Sequence, residues 1–190
     1  MRQILYFLFC LLPVLGGDLS AQSAAAEVRP VRLLLGGALE LGGDRVGVIT
    51  SEGDGQQLIR GAQGVSLVAG LRVQSPRLPR VFLDATVGYK YWRTLTDGAH
   101  VRLTRVPLHL TAHYRITDEV SVGLGLLSDR RIRFRGDGLG PDADYDPSLG
   151  TKFELEWRNL ALGYTRMYYN RPDDRARCAG GFGLTYLVAL

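Results

Sequence analysis

Apolar side chains recur at every second position through most of the chain, and that period is typical of a β-strand rather than of an α-helix. The clearest segment is VFLDATVGYKYW, in which Leu83 and Val87 share one face and Asp84 lies on the other. Seven further segments alternate in the same way: LLLGGALELGG, GVSLVAGLRV, VPLHLTAHYRI, VSVGLGL, KFELEWR, LALGYTRMYY and GGFGLTYLVAL. The pattern therefore predicts eight strands, each with one face that suits an apolar environment.

The connections between these segments alternate between long and short. QSPRLP, ITDE and RN are short turns, whereas a polar stretch near 44–60 and the segment RRIRFRGDGLGPDADYDPS are long. Membrane-spanning barrels have this asymmetry, with short periplasmic turns and long external loops, and an even strand count leaves both termini on the periplasmic side. The sequence therefore predicts an all-β fold, an eight-stranded antiparallel up-and-down transmembrane β-barrel. The rival fold is a soluble eight-stranded ligand carrier, apolar inside and polar outside, because alternation alone is common to both.

Aromatic residues are expected at both ends of the strands, where they form the interfacial girdles of a membrane barrel. The last segment is apolar at every second residue to its end, and we expect it to pair with the first strand, because an open edge in lipid would leave backbone groups without hydrogen bonds. The predicted girdle residues are Tyr89, Tyr91, Trp92, Tyr168 and Tyr169 at the outer ends, and Tyr114 and Trp157 at the inner ends.

The N-terminal segment is organised like a secretory signal peptide. Arg2 precedes an apolar run from Ile4 to Leu15, and small residues follow. The run is shorter than the roughly 20 apolar residues that a spanning helix needs. We place the cleavage after Ala21. The predicted organisation is a signal peptide at 1–21, a short periplasmic N-terminal segment at 22–31 and an outer-membrane β-barrel domain at 32–190.

Composition narrows the classes of function. The net charge is +4 and both signs are interspersed along the chain, so we predict no nucleic-acid partner. After signal cleavage Cys178 is the only cysteine, which leaves an exported chain without an internal disulfide. The mature chain of about 165 residues suffices for one domain and hardly for two.

The export signal, the eight alternating segments and the apolar C-terminal strand together resemble the small outer-membrane β-barrel proteins of Gram-negative bacteria, the OmpA/OmpX-like barrel superfamily. The hairpin VPLHLTAHYRITDEVSVGLGL is especially similar to these barrel domains. The resemblance implies localisation in the cell outer membrane, contact with its lipid and lipopolysaccharide, and insertion by the barrel assembly machinery through the C-terminal strand. That family commonly ends in Phe or Trp, whereas this chain ends in Leu190. No catalytic residue and no cofactor come with the resemblance.

The polar faces of the predicted strands carry charges of both signs. The interior of an eight-stranded barrel is just wide enough for side chains to fill, and a buried charge has to be paired. We therefore predict that a charge network plugs the lumen, in preference to an active site or an ion path. Counting back from the hairpin turns places Asp84 near Arg72 and His113. The predicted network is Glu40, Arg72, Asp84, Lys90, His109, His113, Arg115, Glu154, Glu156 and Arg158.

Two patterns resemble metal sites and fail on spacing. His109 and His113 are four residues apart, which on a strand separates them by about 13 Å, too far to share one ion. The segment DADYDPS carries three aspartates, but it lacks the Gly at the sixth position and the Glu at the twelfth that a calcium loop needs. We therefore predict an ordinary acidic loop, and no metal, cofactor or catalytic residue.

The segment RRIRFR keeps its alternation through Ile132 and Phe134. The fifth strand is therefore predicted to protrude above the membrane. Its other face would present Arg131, Arg133 and Arg135 near lipopolysaccharide phosphates, which guanidinium groups bind well. The alternative, which we favour from the sequence, is an ordinary solvated loop.

These observations favour a non-enzymatic outer-membrane protein with a structural or surface-interaction role. One alternative is an outer-membrane lipid-modifying enzyme or protease, for which His100 lies near the predicted outer rim but no serine partner stands out. A further alternative is a small pore or transport protein.

Overall fold

A computed structural model describes residues 30–51, 55–93, 101–136, 142–147, 149–171 and 174–190. The predicted signal peptide and His100 lie outside these residues. The first strand begins at Val31, one residue before the predicted start of the barrel domain. No helix in the described part of the chain is long and apolar enough to cross a membrane.

The described residues form thirteen strands, all paired antiparallel. Eight of them build the barrel, and the shorter ones continue it on the side of the long loops. The strands are β1 (Val31–Leu41), β2 (Arg45–Ser51), β3 (Gly55–Arg60), β4 (Gly64–Gln74), β5 (Val81–Arg93), β6 (Arg102–Arg115), β7 (Val120–Arg135), β8 (Ala143–Pro147), β9 (Gly150–Trp157), β10 (Leu160–Arg166), β11 (Tyr168–Arg171), β12 (Asp174–Cys178) and β13 (Gly181–Ala189).

The barrel closes in the order β1, β4, β5, β6, β7, β9, β10, β13 and back to β1. Strand β13 pairs with β1 on one side, where Leu34 faces Ala189, and with β10 on the other, where Leu160 faces Tyr186. The apolar C-terminal segment is therefore the closing strand. The prediction of an eight-stranded antiparallel barrel is confirmed.

Strand β7 links the barrel to an extension above it. Its first part, Val120–Leu127, pairs with β9, and its last part, Ile132–Phe134, pairs with β8. A bulge separates the two parts, because the register against β6 shifts between Thr104 and Val106. Arg131 takes up the extra residue with a left-handed φ of 51°. The side chains of Ile132 and Phe134 consequently point inward, and the strand protrudes beyond the belt as predicted.

The outer face of the barrel is an apolar belt, and the inner face is polar. This distribution is the inverse of a soluble ligand carrier, whose apolar face lines the cavity, so that rival is wrong and the chain is a transmembrane β-barrel. Exposed belt residues include Leu33, Leu39, Leu67, Leu71, Leu83, Val87, Leu110, Leu124, Phe153, Leu162, Phe182 and Leu184.

Most predicted girdle residues face outward, but Trp92 and Tyr169 do not. Trp92 packs against an inner apolar cluster, and the side chain of Tyr169 is only 1% exposed. Each follows an outward aromatic residue, Tyr91 or Tyr168. Because successive side chains on a strand point to opposite faces, only one member of such a pair can face the lipid.

Candidate functional site

The lower lumen is built around Arg72. Its Nε donates to Asp84 Oδ1 at 2.8 Å, and its Nη2 donates to Asp84 Oδ2 at 2.7 Å and to Glu156 Oε1 at 3.0 Å. Ser121 Oγ donates to Glu156 Oε2 at 3.0 Å. Strands β4 and β9 are four places apart in the eight-stranded order. The guanidinium therefore bridges opposite walls of the barrel.

His113 lies against this bridge. Its Nε2 is 3.6 Å from Asp84 Oδ2, and its Nδ1 is 3.5 Å from Glu156 Oε2. The imidazole ring stacks on Phe82, with centroids 4.6 Å apart. A Cβ at Gly123 would come within 2.7 Å of the ring, so glycine leaves the room that the imidazole occupies.

Asp84, His113 and Glu156 each offer an atom within 4.8 Å of the others, a distance compatible with a metal ion. Arg72 already donates to both carboxylates. Both carboxylates are therefore already engaged by a cation of the chain, and we assign no metal to this cluster.

Above this layer the lumen contains two more ion pairs. Lys152 Nζ lies 2.8 Å from Glu154 Oε1 and 3.3 Å from His109 Nδ1. Higher up, Lys90 forms a buried ion pair with Glu40. A small cavity of about 20 Å³, lined by polar and apolar residues, lies between the layers and has room for about one water molecule. Ion pairs thus lie at successive levels of the narrow interior.

A fourth charged layer was missed by the sequence analysis. Arg105, 1% exposed, donates to the hydroxyl of Tyr169 at 2.6 Å and to the carbonyl oxygen of Gln63 at 2.6 Å. That hydroxyl donates to Asp129 Oδ2 at 2.5 Å. The sequence did contain a sign of this layer. Arg105 is four residues from His109 and therefore shares its inward face, and Asp129 comes directly after the alternating segment VSVGLGLLS.

An apolar cluster covers this layer from the side of the long loops. It joins residues from the junctions and extensions of several strands. Phe134 and Ile132 enter it because the bulge in β7 turns them inward. We call it the cap; its members are Ile59, Val101, Leu103, Leu127, Ile132, Phe134, Met167, Tyr169 and Ala179.

The structure places two predicted network residues elsewhere. Arg115 is half-buried at the inner mouth, with its guanidinium 5.6 Å from the Phe82 ring. Arg158 is outside the lumen: its side chain is 63% exposed, and it donates to Glu119 Oε1 at 2.5 Å. That bond lowers the pKa of Glu119. The prediction for Arg158 fails because β9 ends at Trp157, and Arg158 begins the turn with a φ of 56°.

Outward-facing arginines cluster where β5, β6 and β7 leave the belt. Arg102 faces Arg93 on one side and Arg135 on the other, and Arg133 faces Thr104. Like charges directly opposite each other destabilise a sheet. We call this set the arginine patch: Arg93, Arg102, Arg130, Arg131, Arg133 and Arg135.

Arg135 differs from its neighbours in the patch. It is half-buried, with Nη1 2.9 Å from Asp144 Oδ1 and Nε 3.6 Å from Asp142 Oδ2. Two aspartates of the acidic segment are therefore used within the chain. Among the described residues, the other five patch arginines form no ion pair. Arg93 and Arg102 were not predicted because they lie beyond the assumed ends of their strands, and Arg130 was not predicted because its parity placed it on the same face as Ile132 and Phe134.

Solved structures with a similar fold include two small bacterial barrels. The attachment invasion locus protein Ail of Yersinia pestis is 14% identical with a TM-score of 0.45, over 83% of this chain and 97% of that chain. Neisserial surface protein A is 13% identical with a TM-score of 0.46, over 85% and 98%. A second structure of Ail, in complex with the heparin analogue sucrose octasulfate, is 14% identical with a TM-score of 0.42, over 83% of this chain and 97% of that chain. At these identities the likeness concerns the fold alone.

No protein-family model and no curated protein matches the sequence. The assignment to a membrane therefore rests on the chain itself. A closed barrel with an apolar exterior and a polar interior is the architecture of bacterial outer-membrane proteins. The chain is accordingly an outer-membrane barrel of the small eight-stranded type.

Proposed function

We propose that this protein is a non-enzymatic barrel with a surface-interaction role, whose arginine patch binds phosphate groups of lipopolysaccharide at the outer rim. The observation that carries the proposal is the row formed by Arg93, Arg102 and Arg135 across three neighbouring strands. Mutual repulsion in that row is relieved when an anion binds between the guanidinium groups. Among the residues that the structure describes, aspartates compensate Arg135 and no other patch arginine, which leaves the rest of the patch for an external anion.

The position of the patch agrees with this partner. Tyr91 is the last outward aromatic residue of β5, and Arg93 follows it on the same face. On β7, Arg130 is the next residue of the outer face after Leu126 and Ser128. The guanidinium groups thus begin where the apolar belt stops, at the level of lipid headgroups. Planar guanidinium groups bind phosphate through paired hydrogen bonds.

The interior supports the same role in preference to a pore. Four layers of charged residues lie one above another in the lumen, and the cap lies above them. The charged residues also lie behind the barrel wall, away from the lipid that an integral lipid-modifying enzyme would have to reach. We therefore propose a plugged lumen and a scaffold role for the barrel, with the C-terminal strand β13 as the segment read by the barrel assembly machinery.

The test removes charge from the patch while the fold is kept. The variant carries Arg102→Gln, Arg131→Gln and Arg133→Gln, and the matched control carries Arg77→Gln and Arg80→Gln in the exposed turn at the opposite end. We expect the patch variant to bind vesicles containing lipopolysaccharide about ten-fold more weakly than the parent, with most of the difference lost at high salt. The control should bind like the parent.

Equal binding by the patch variant and the parent would refute the proposal. The enzyme alternative is separated by incubating the folded barrel with lipopolysaccharide, phospholipid and unfolded peptide. Deacylation, acyl transfer or cleavage that depends on the folded barrel would replace the non-enzymatic role.

A further inference from the structure

The lipid-facing surface carries one concave region directly beside the arginine patch. It extends from β4 across β5 and β6 to β7 and has a volume of about 540 Å³. Ala85 forms its floor, because its outward side chain is a single methyl group between Leu71 and Leu110. Gly70 contributes backbone only, since it lies on the lumen face of β4 with Arg72. Most of the other lining residues are apolar, and Thr86, His109 and Ser128 are polar. We call it the groove; its principal residues are Gly70, Leu71, Ala85, Leu108, Leu126 and Leu149.

The groove ends next to the patch. Ser128 lines its edge on β7 and faces Leu108 across the β6–β7 pair. The next outward residue on the same strand is Arg130, which is exposed and faces Val106. Two residues of strand correspond to about 7 Å. A charged headgroup at Arg130 and an apolar chain in the groove are therefore within reach of one molecule.

We propose that the groove and the arginine patch together form one binding site for a phosphorylated, acylated lipid of the outer leaflet, with an acyl chain in the groove and a phosphate on Arg130 and Arg133. This inference rests on the proposed function and specifies its ligand. A soluble polyanion would use the arginines alone. A lipid without phosphate would have no reason to prefer this part of the belt.

The groove contributes shape rather than hydrophobicity. The whole belt is apolar, and in a bilayer one apolar surface has no hydrophobic advantage over another. A shallow depression at Ala85, flanked by Leu71 and Leu110, offers an acyl chain more contact than a flat wall, and close van der Waals packing is what drives association within lipid. The phosphate contact supplies the anchor that places the chain there.

The experiment uses the full barrel, refolded in detergent micelles and observed by native mass spectrometry. The two probes are hexa-acylated diphosphorylated lipid A and the same phosphorylated sugar after complete deacylation. Ala85→Phe fills the groove. Ala112→Phe is its matched control, because Ala112 is also exposed on the lipid face but lies outside the groove. A third variant combines Arg130→Gln with Arg133→Gln.

We expect Ala85→Phe to weaken lipid A binding at least about ten-fold relative to Ala112→Phe, because the filled groove no longer packs against a chain. Its binding of the deacylated sugar should be unchanged. The double arginine variant should lose affinity for both probes. The three results together establish a joint site for chain and phosphate.

Other outcomes overturn the inference in distinguishable ways. If Ala85→Phe binds lipid A like its control while the arginine variant loses both probes, the patch stands and the acyl site falls. If neither variant changes binding, the proposed function falls as well. A parent that is dimeric in micelles, with Ala85→Phe monomeric, would show that a second copy of this chain covers the groove.

Discussion

Arg72 and Asp84 face each other across β4 and β5 and form a bidentate ion pair inside the barrel, with donor–acceptor distances of 2.8 and 2.7 Å. A bidentate pair fixes the orientation of the guanidinium as well as its charge. That orientation directs Nη2 to Glu156 on the opposite wall. One pair of neighbours thus sets up a connection across the lumen.

Asp84→Asn should destabilise the barrel, because Arg72 would keep only Glu156 as a charged partner. Breaking a buried pair on one side costs about 3 kcal/mol or more. Urea unfolding of the barrel in lipid vesicles, followed by its gel mobility, measures the change. The matched control is Asp118→Asn in the exposed inner turn, which should unfold like the parent. An unchanged midpoint for Asp84→Asn would remove Asp84 from the plug.

The local pattern was sufficient to place Asp84 and Arg72. A period of two assigns each side chain to a face, and the short QSPRLP turn limits the register of the hairpin, so the two residues were expected near each other. The same period predicted the eight strands, which depend only on neighbouring residues. The closing role of β13 followed from a different argument, that an open edge in lipid leaves backbone groups without hydrogen bonds.

Other features depend on where strands end and where they are irregular. Arg105 and Asp129 lie beyond the segments that the apolar pattern delimited, and Tyr169, at the end of its segment, was expected in the outer girdle. The bulge at Arg131 adds one residue within a run of charged residues, and the alternation of RRIRFR continues on either side of it. Arg158 continues the parity of the strand before it, but a turn begins there. Such positions are set by pairing between distant segments, which a one-dimensional period does not contain.

Tyr169→Phe should destabilise the fourth charged layer. The hydroxyl both accepts from Arg105 and donates to Asp129, so its removal leaves two buried charged groups with fewer hydrogen bonds. We expect a loss of about 1–3 kcal/mol. Urea unfolding in vesicles again measures it. Tyr89→Phe is the matched control, because its ring is 54% exposed on the outer face, and it should change stability by less than about 0.5 kcal/mol. Equal effects of the two variants would argue against the layer.

Deleting Tyr186–Leu190 should prevent insertion. The deletion removes the β13 residues that pair with Leu34–Gly37 of β1, so an edge of the barrel would be open in lipid. Immunoblots of isolated outer membranes should show little of the truncated chain, with degradation products in the periplasm. Leu190→Phe is the informative companion, and it should insert as well as the parent or better. Normal membrane levels of the truncated chain would contradict the closing role of β13.

The purified barrel should show no steady ion conductance in a planar bilayer. An ion crossing it would have to pass the cap and then the four charged layers, each of which occupies the narrow lumen of an eight-stranded barrel. These obstacles lie in series, so Phe134→Ala in the cap alone should also remain closed. A known open porin in the same bilayers provides the positive control, and gel mobility verifies that each variant is folded.

Stable, ion-selective openings of the parent protein would overturn the plug and make transport the leading function. Openings seen only with Phe134→Ala would show instead that the cap, and not the charge network, is what seals the lumen.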